Sequence, residues 1–336
     1  MSLLEVDNLN INYETNKGIR KAVDGISFNL DESQSLGLVG ESGCGKSTAV
    51  KGIIGVQPKN AFIPEGKIRY KGENILDYSE NKMNDLRWSE ISFVPQAAMD
   101  SLNPVYTVKN QFLEVLKSKG NMEKKKAVKR AKNLFKKVGL SEGLLNYYPH
   151  QFSGGMKQRA IIALALALKP GLIITDEPVT ALDVIVQHQI LREVKELRKE
   201  FNISLIMITH DISVIAKTCE YIAVMYAGKI VEKGPANKIL KEPLHPYTMG
   251  LENSFPDITK PDKELISIPG VPPDLINPPS GCRFADRCPF AEDICYSESP
   301  ELKKIDEDHY SACIHTENLQ KLRDQSGEVE TWRRAI

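Results

Sequence analysis

The sequence predicts an α/β fold: a parallel-rich core sheet with flanking helices, antiparallel strands ahead of it, a helical insert, and a small irregular C-terminal domain. Three observations carry that reading. A Gly-rich turn, "GESGCGKS" (Gly40 to Ser47), joins an apolar run to a helical pattern. Two short β-rich runs, "GLIITDEP" and "ISLIMITHD", lie either side of one amphipathic helix. Short apolar strands alternating with such helices imply a parallel sheet with helices packed on it. From about Pro243 the chain turns proline-rich ("EPLHPYT", "IPGVPPDLINPPSG"), which ends the regular pattern.

Taken in order, "LLEVDNLNINY" and "KAVDGISFNL" show apolar alternation and read as strands. "QSLGLVG" is a third strand running into the Gly-rich turn, and "KSTAVKGIIG" is the helix after it. Between Val108 and Tyr148, "KNQFLEVLKSKG" and "MEKKKAVKRAKNLFKKVGL" are helical patterns with basic faces. The lysines at 124–126 read as a solvated face. Val186, Ile190, Val194 and Leu197 recur at helical spacing and predict one buried stripe. The expected organisation is a first domain over 1–242, with a helical subdomain at about 97–158, and a C-terminal extension over 243–336. No internal repeat or low-complexity tract interrupts it.

The chain has 336 residues and a formal net charge of zero, so it has no global electrostatic footprint for nucleic acid. The first residues lack the basic region and apolar stretch of a signal peptide. The longest apolar run, Ala160 to Leu168, falls short of the roughly 20 residues needed to cross a bilayer. These features predict a cytosolic protein with reduced thiols.

"GESGCGKS" satisfies G-x-x-x-x-G-K-[ST] at every fixed position, between a strand and a helix. Gly40, Gly43 and Gly45 let successive backbone N–H groups face inward, so Gly40, Glu41, Ser42, Gly43, Cys44, Gly45, Lys46, Ser47 and Thr48 form a cradle for phosphate oxygens. The helix N-terminus adds positive potential, Lys46 reaches the β/γ-phosphates, and Ser47, beside Thr48, can hold Mg²⁺. "LIITDEP" ends an apolar strand in two carboxylates. Asp176 is placed to orient Mg²⁺ and Glu177 to polarise an attacking water. In "FSGGMKQR", Ser153, Gly154 and Gly155 open a second helix whose N–H groups suit an anion. Two such helix starts can serve one nucleotide only where two chains face each other.

The order of phosphate loop, Gln96 in "FVPQ", "SGGMKQR", "ITDEP", "ALD" and "ITHD" resembles the ATP-binding cassette ATPases, which sandwich two ATPs between two head-to-tail subunits. The resemblance implies that Tyr13 stacks on adenine and that Gln96 senses Mg²⁺ and contacts a membrane partner. It implies that Ser153, Gly154 and Gly155 touch the γ-phosphate held by the opposite subunit. Asp183 would couple the two sites, and His210 would hydrogen-bond the γ-phosphate and the attacking water. Phe152, Met156 and Val179 depart from the commonest residues of the family but remove no group that does chemistry.

"QAAMDSLNPVYTVKNQ", "PLHPYTMGL" and the tail "GCRFADRCPFAEDIC…HYSAC" resemble the ATPase subunits of the peptide/nickel importer branch. That resemblance implies uptake of di- or oligopeptides, with nickel chelates, glutathione or other small solutes as alternatives. It implies a place on the cytoplasmic face of the membrane and three kinds of partner. These are two integral-membrane permease subunits, a second homologous ATPase subunit, and an extracytoplasmic substrate-binding protein reached through the permeases. The other classes weighed are a soluble cassette ATPase acting on DNA or ribosomes and an iron or redox sensor; the single cassette and the complete catalytic set argue against them.

Of the six cysteines, Cys219 reads as a small core residue, and Cys44 sits at a helix N-terminus that is expected to lower its pKa and make it alkylation-sensitive. Cys282, Cys288, Cys295 and Cys313 cluster in the tail. In a reducing compartment a metal explains them better than disulfides, since a centre can hold together a segment too short for its own core. Their spacing lacks the close pairs of zinc knuckles, and a proline follows Cys288 as in some cluster-binding loops. The resemblance also implies a [4Fe–4S] cluster, because some ATPases of this branch carry one in the C-terminal domain. Zinc, and free or disulfide-bonded thiols, remain the alternatives.

Overall fold

A computed structural model describes residues 2–96, 98–179, 183–254 and 265–333. The chain divides into two compact units. One comprises Met1–Leu4, Leu30–Ser35 and Tyr70–Ile208, the other Glu5–Asn29, Leu36–Arg69 and Thr209–Ile336.

The first unit is built on parallel strands Ile91–Val94, Leu172–Asp176 and Ser204–Thr209. Leu172 to Thr175 register against Ile91 to Val94 on one side, and Leu172 to Asp176 against Ser204 to Ile208 on the other. Every residue of Ser204–Thr209 is buried, as the continuous apolar run requires of a strand covered on both faces. Helix Val184–Phe201 buries Ile190, Val194 and Leu197, while Val186 at its start is half-buried. The helical insert is present as Val108–Ser118 and Lys124–Lys137, which pack through Phe112 and Phe135 with ring centroids 5.5 Å apart and edge-on. Thr107 caps the first of these by accepting from the Asn110 N–H. Lys124, Lys125 and Lys126 are exposed, and Lys132 and Lys136 both pair with Glu142.

The N-terminal strands Ser2–Thr15 and Gly18–Asp31 pair as a long hairpin. The buried set changes parity along the first strand, from Leu4 and Val6 to Leu9 and Ile11. Asn8, at φ +45°, absorbs the extra residue and returns the apolar side chains to the covered face.

In the second unit, Leu36 to Val39 of strand Ser35–Val39 run parallel to Tyr221–Tyr226, which turns back as Lys229–Pro235. The tail is less irregular than its composition suggests. Lys303–Asp306 and His309–Ser311 form a hairpin that extends this sheet, with Glu232 opposite Ser311 and Lys233 opposite Tyr310. Strands of three and four residues are too short to show a period, so the sequence reading missed them. Glu232 fastens the tail down. It is fully buried, its two oxygens accept from the Leu244 and His245 N–H groups at 2.9 and 2.8 Å, and His309 Nε2 lies 2.8 Å from Oε1. A buried carboxylate survives only with its lone pairs satisfied, and this one is.

Candidate functional site

The phosphate loop follows the buried strand Ser35–Val39 and opens helix Lys46–Ile53, whose Ala49, Val50 and Ile53 are buried. Gly40, Gly43 and Gly45 have φ of +152°, +79° and +108°. A Cβ at Gly40 would lie 2.1 Å from the Met225 carbonyl oxygen, and one at Gly45 2.3 Å from that of Ala22. At Gly43 a Cβ would meet nothing within 4 Å, so only the backbone conformation selects glycine there. Lys46 is buried, and its Nζ donates to the carbonyls of Gly40 and Glu41 at 2.7 and 2.9 Å. The ammonium is thus held inside the loop that it serves. Tyr13 Oη and Thr48 Oγ1 lie 3.2 Å apart, which puts the expected adenine-stacking ring beside the first turn of the helix.

Glu41 and Ser42 fill variable positions of the loop. Ser42 is exposed, but the Glu41 side chain is taken by the C-terminal extension. Arg287 Nη1 and Nη2 donate to its two oxygens at 2.8 and 2.9 Å, and the Glu41 N–H donates to Tyr247 Oη at 2.9 Å. Burial opposes the charge of Arg287, yet the Glu41 carboxylate holds the guanidinium pKa above its ordinary value.

Cys44 does not behave as its helix-terminal position implies. It is 3% exposed, and burial pushes its thiol pKa up in spite of Lys46, whose Nζ is 3.6 Å from the sulfur. Desolvation outweighs one nearby cation here. We therefore expect Cys44 to react with iodoacetamide about a hundredfold more slowly in the folded protein than after unfolding. Time-resolved mass spectrometry of the peptide containing it provides the check, and equal rates would contradict the burial. Cys219 is buried, as expected.

In the other unit, the register that sets Val94 against Thr175 places the two following strand ends side by side. Gln96 and Glu177 meet there, with Gln96 Nε2 donating to Glu177 Oε2 at 3.2 Å. Asp176 is 3% exposed at the strand end. Glu177 holds a left-handed backbone, φ +48°, and its N–H donates to the Ile208 carbonyl at 2.9 Å. A non-glycine residue in that region costs about 1–3 kcal/mol, which the surrounding ladder sustains. Ser153 caps helix Gly154–Ala165 by accepting from the Met156 N–H, and Asp183 caps Val184–Phe201 by accepting from Val186. The two helix starts touch: a Cβ on Gly155 would lie 2.9 Å from Val186 Cγ1. Ala181 and Leu182 of "ALD" lie outside the described residues.

His210 is exposed just beyond strand Ser204–Thr209. The next residue, Asp211, caps helix Ile212–Thr218 by accepting from the Ser213 and Val214 N–H groups at 2.8 and 3.3 Å. The loop, Tyr13 and His210 belong to one compact unit; Gln96, Ser153, Gly154, Gly155, Asp176, Glu177 and Asp183 belong to the other.

The four tail cysteines converge. Cys282, Cys288, Cys295 and Cys313 line one apolar cavity together with His245 and His315. The Cys282 N–H donates to the Cys295 carbonyl at 2.7 Å, and Gly281 makes that approach possible, since its Cβ would sit 2.3 Å from the same oxygen. Each sulfur also receives backbone N–H groups: Phe284 and Ala285 serve Cys282, Phe290 serves Cys288, His315 serves Cys313, and Glu292 serves Cys295 at 3.5 Å. Burial pushes the thiol pKa values of Cys282, Cys288 and Cys313 upward, that of Cys313 to about 12. Among the described residues no group of three His, Cys, Asp or Glu side chains is arranged to hold a single metal ion.

A parallel-rich α/β core with this phosphate loop, strand-end carboxylates and a second capped Ser-Gly-Gly helix start defines an ATP-binding cassette ATPase. The comparisons agree. Residues 23–180 match the family "ABC transporter", and residues 231–295 match "Oligopeptide/dipeptide transporter, C-terminal region". The chain is 46% identical to the dipeptide transport ATP-binding protein DppD of Lactococcus lactis subsp. cremoris, over 92% of this chain and 89% of that protein. It is 44% identical to the oligopeptide transport ATP-binding protein OppD of Bacillus subtilis, over 92% and 87%. Among solved structures, the ATP-binding cassette MJ0796, a post-hydrolysis dimer bound to ADP and Pi, aligns with a TM-score of 0.62 and 28% identity, over 69% of this chain and 98% of that one. The chain belongs to the family of ATP-binding subunits of oligopeptide/dipeptide ABC transporters. ATP and Mg²⁺ are the cofactors that go with such an ATPase. Among the described residues no helix is long and apolar enough to cross a membrane.

Proposed function

We propose that this chain energises the uptake of di- or oligopeptides from the cytoplasmic face of the membrane, bound to two permease subunits and paired with a second, homologous ATPase subunit. An extracytoplasmic binding protein would deliver the substrate through the permeases. The observation that carries this is the joining of an ATPase cassette to a peptide-transporter C-terminal region in one chain. Dipeptide and oligopeptide transporters among its relatives support it. Uptake of labelled di- and pentapeptides by cells lacking and then regaining this chain tests it. Uptake restored for neither, with nickel or glutathione uptake restored instead, would overturn the peptide reading.

In the proposed chemistry the loop amides and Lys46 would neutralise the β/γ-phosphates, and Ser47, Gln96 and Asp176 would hold Mg²⁺, which would offset further phosphate charge. Glu177 takes the proton of the attacking water, which His210 orients. Tyr13 stacks on adenine. Ser153, Gly154 and Gly155 serve the nucleotide of the facing subunit, and Asp183 links the two sites. ATP then holds two subunits together until hydrolysis removes the bridging phosphate.

We also propose that Cys282, Cys288, Cys295 and Cys313 ligate a [4Fe–4S] cluster. Four thiols on one cavity, each served by a backbone N–H, suit the donor set of such a centre, in which N–H groups directed at sulfur stabilise thiolate. Protein purified without oxygen is expected to show broad visible absorption that bleaches on reduction, with iron and acid-labile sulfide in equal amounts. Cys288→Ala is expected to lose most of both. A colourless protein containing zinc would assign the thiols to that metal instead.

A further inference from the structure

We propose that Arg287 is a positioning residue for the phosphate loop, and that through it the cysteine module sets the ATP affinity of the cassette. The motif leaves the second loop position free, yet Glu41 puts a carboxylate beside the place where a polyphosphate binds. Unneutralised, that charge would repel the nucleotide. Arg287 cancels it with a two-pronged contact, both N–H groups on the two carboxylate oxygens at 2.8 and 2.9 Å. The guanidinium is itself fixed from behind. Its Nε donates to the Pro269 carbonyl at 2.6 Å, Nη1 donates to Tyr226 Oη at 3.2 Å, and the rings of Tyr226 and Phe284 lie beside it.

Two further ties link the same elements. Tyr247 Oη accepts the Glu41 N–H at 2.9 Å. Arg283 donates to the Ala227 carbonyl and to Asp24, and the next N–H after Ala227, that of Gly228, donates to the Cys44 carbonyl in the loop at 2.9 Å. Arg283 directly follows Cys282, and Arg287 directly precedes Cys288. Two of the four clustered thiols therefore share a peptide bond with an arginine that holds the loop or its supporting turn. Ordering residues 282–288 orders the loop, whatever the thiols bind.

The test is a double-mutant cycle on the full-length chain, read as the dissociation constant of a fluorescent ATP analogue with Mg²⁺. Arg287→Met is expected to weaken binding about tenfold. Arg287→Lys, which keeps the charge but not the fork, is expected to weaken it about threefold. Combined with Glu41→Gln, either Arg287 change is expected to alter affinity less than about twofold relative to Glu41→Gln alone. Both arginine variants are expected to keep kcat at saturating ATP within about twofold of the parent, a KM-against-kcat split that general loosening of the fold would not produce. Wild-type affinity in a folded Arg287→Met protein would overturn the proposal. So would a tenfold loss that persists in the Glu41→Gln background. Should Arg287→Met fail to fold, the milder Arg287→Lys cycle decides by the same criteria.

Discussion

Replacing Glu177 by Gln is expected to lower kcat by about 10³-fold while leaving MgATP affinity within about threefold of the parent. Gln keeps the shape of the side chain and an oxygen to face Gln96, whose Nε2 donates to Glu177 Oε2 at 3.2 Å. It also leaves the Glu177 N–H on the Ile208 carbonyl, so the strained left-handed backbone stays in place. Only the proton acceptor is lost. ATP would then be bound and not consumed, and two ATPase subunits would remain bridged. Single-turnover hydrolysis and light scattering with and without MgATP read the two consequences. Turnover near the parental rate would remove Glu177 from the role of general base.

Gly45→Ala is expected to abolish nucleotide binding, a loss of at least about a hundredfold, whereas Gly43→Ala is expected to lose about tenfold. Both positions have positive φ, which costs an L-residue about 1–2 kcal/mol. At Gly43 that is the whole penalty, because a Cβ there enters open space. At Gly45 the Cβ would also lie 2.3 Å from the Ala22 carbonyl oxygen. Backbone cannot rotate out of the way as a side chain can, so the loop would move and its N–H groups would no longer converge. Titration with a fluorescent ATP analogue compares the two, and equal losses would show that backbone conformation alone governs the loop.

Much of this protein was legible in its sequence because the relevant signals are short. The phosphate loop is a local pattern of glycines, one lysine and one hydroxyl, and it folds as that pattern requires. The strand ending in Asp176 and Glu177 announced itself by a run of apolar residues stopped by two carboxylates. The helical insert was visible from its period, but the packing of Phe112 on Phe135 that joins its two helices was not. The hairpin Lys303–Ser311 was not visible, since its strands take their stability from pairing with Lys229–Pro235 rather than from an alternation of their own. Cys44 was misread for a related reason. Its helix-terminal position is local, but its pKa is raised by burial, and its carbonyl accepts from the Gly228 N–H, far away in sequence.

The sequence by itself determined which groups are available for chemistry: the loop with Lys46 and Ser47, the strand-end carboxylates, the Ser-Gly-Gly helix start, His210 and the four tail thiols. Residue type at fixed short spacing suffices for that, because each motif is one turn, one strand end or one helix start. Only the tertiary structure decided how those groups are held. It brought Gln96 to Glu177 through a strand register, gathered four widely spaced thiols round one cavity, and set Arg287 on the phosphate loop at Glu41. Such pairings join segments with no periodicity in common. They follow from burial and from the need of buried polar groups for partners, which act on the folded chain rather than along it.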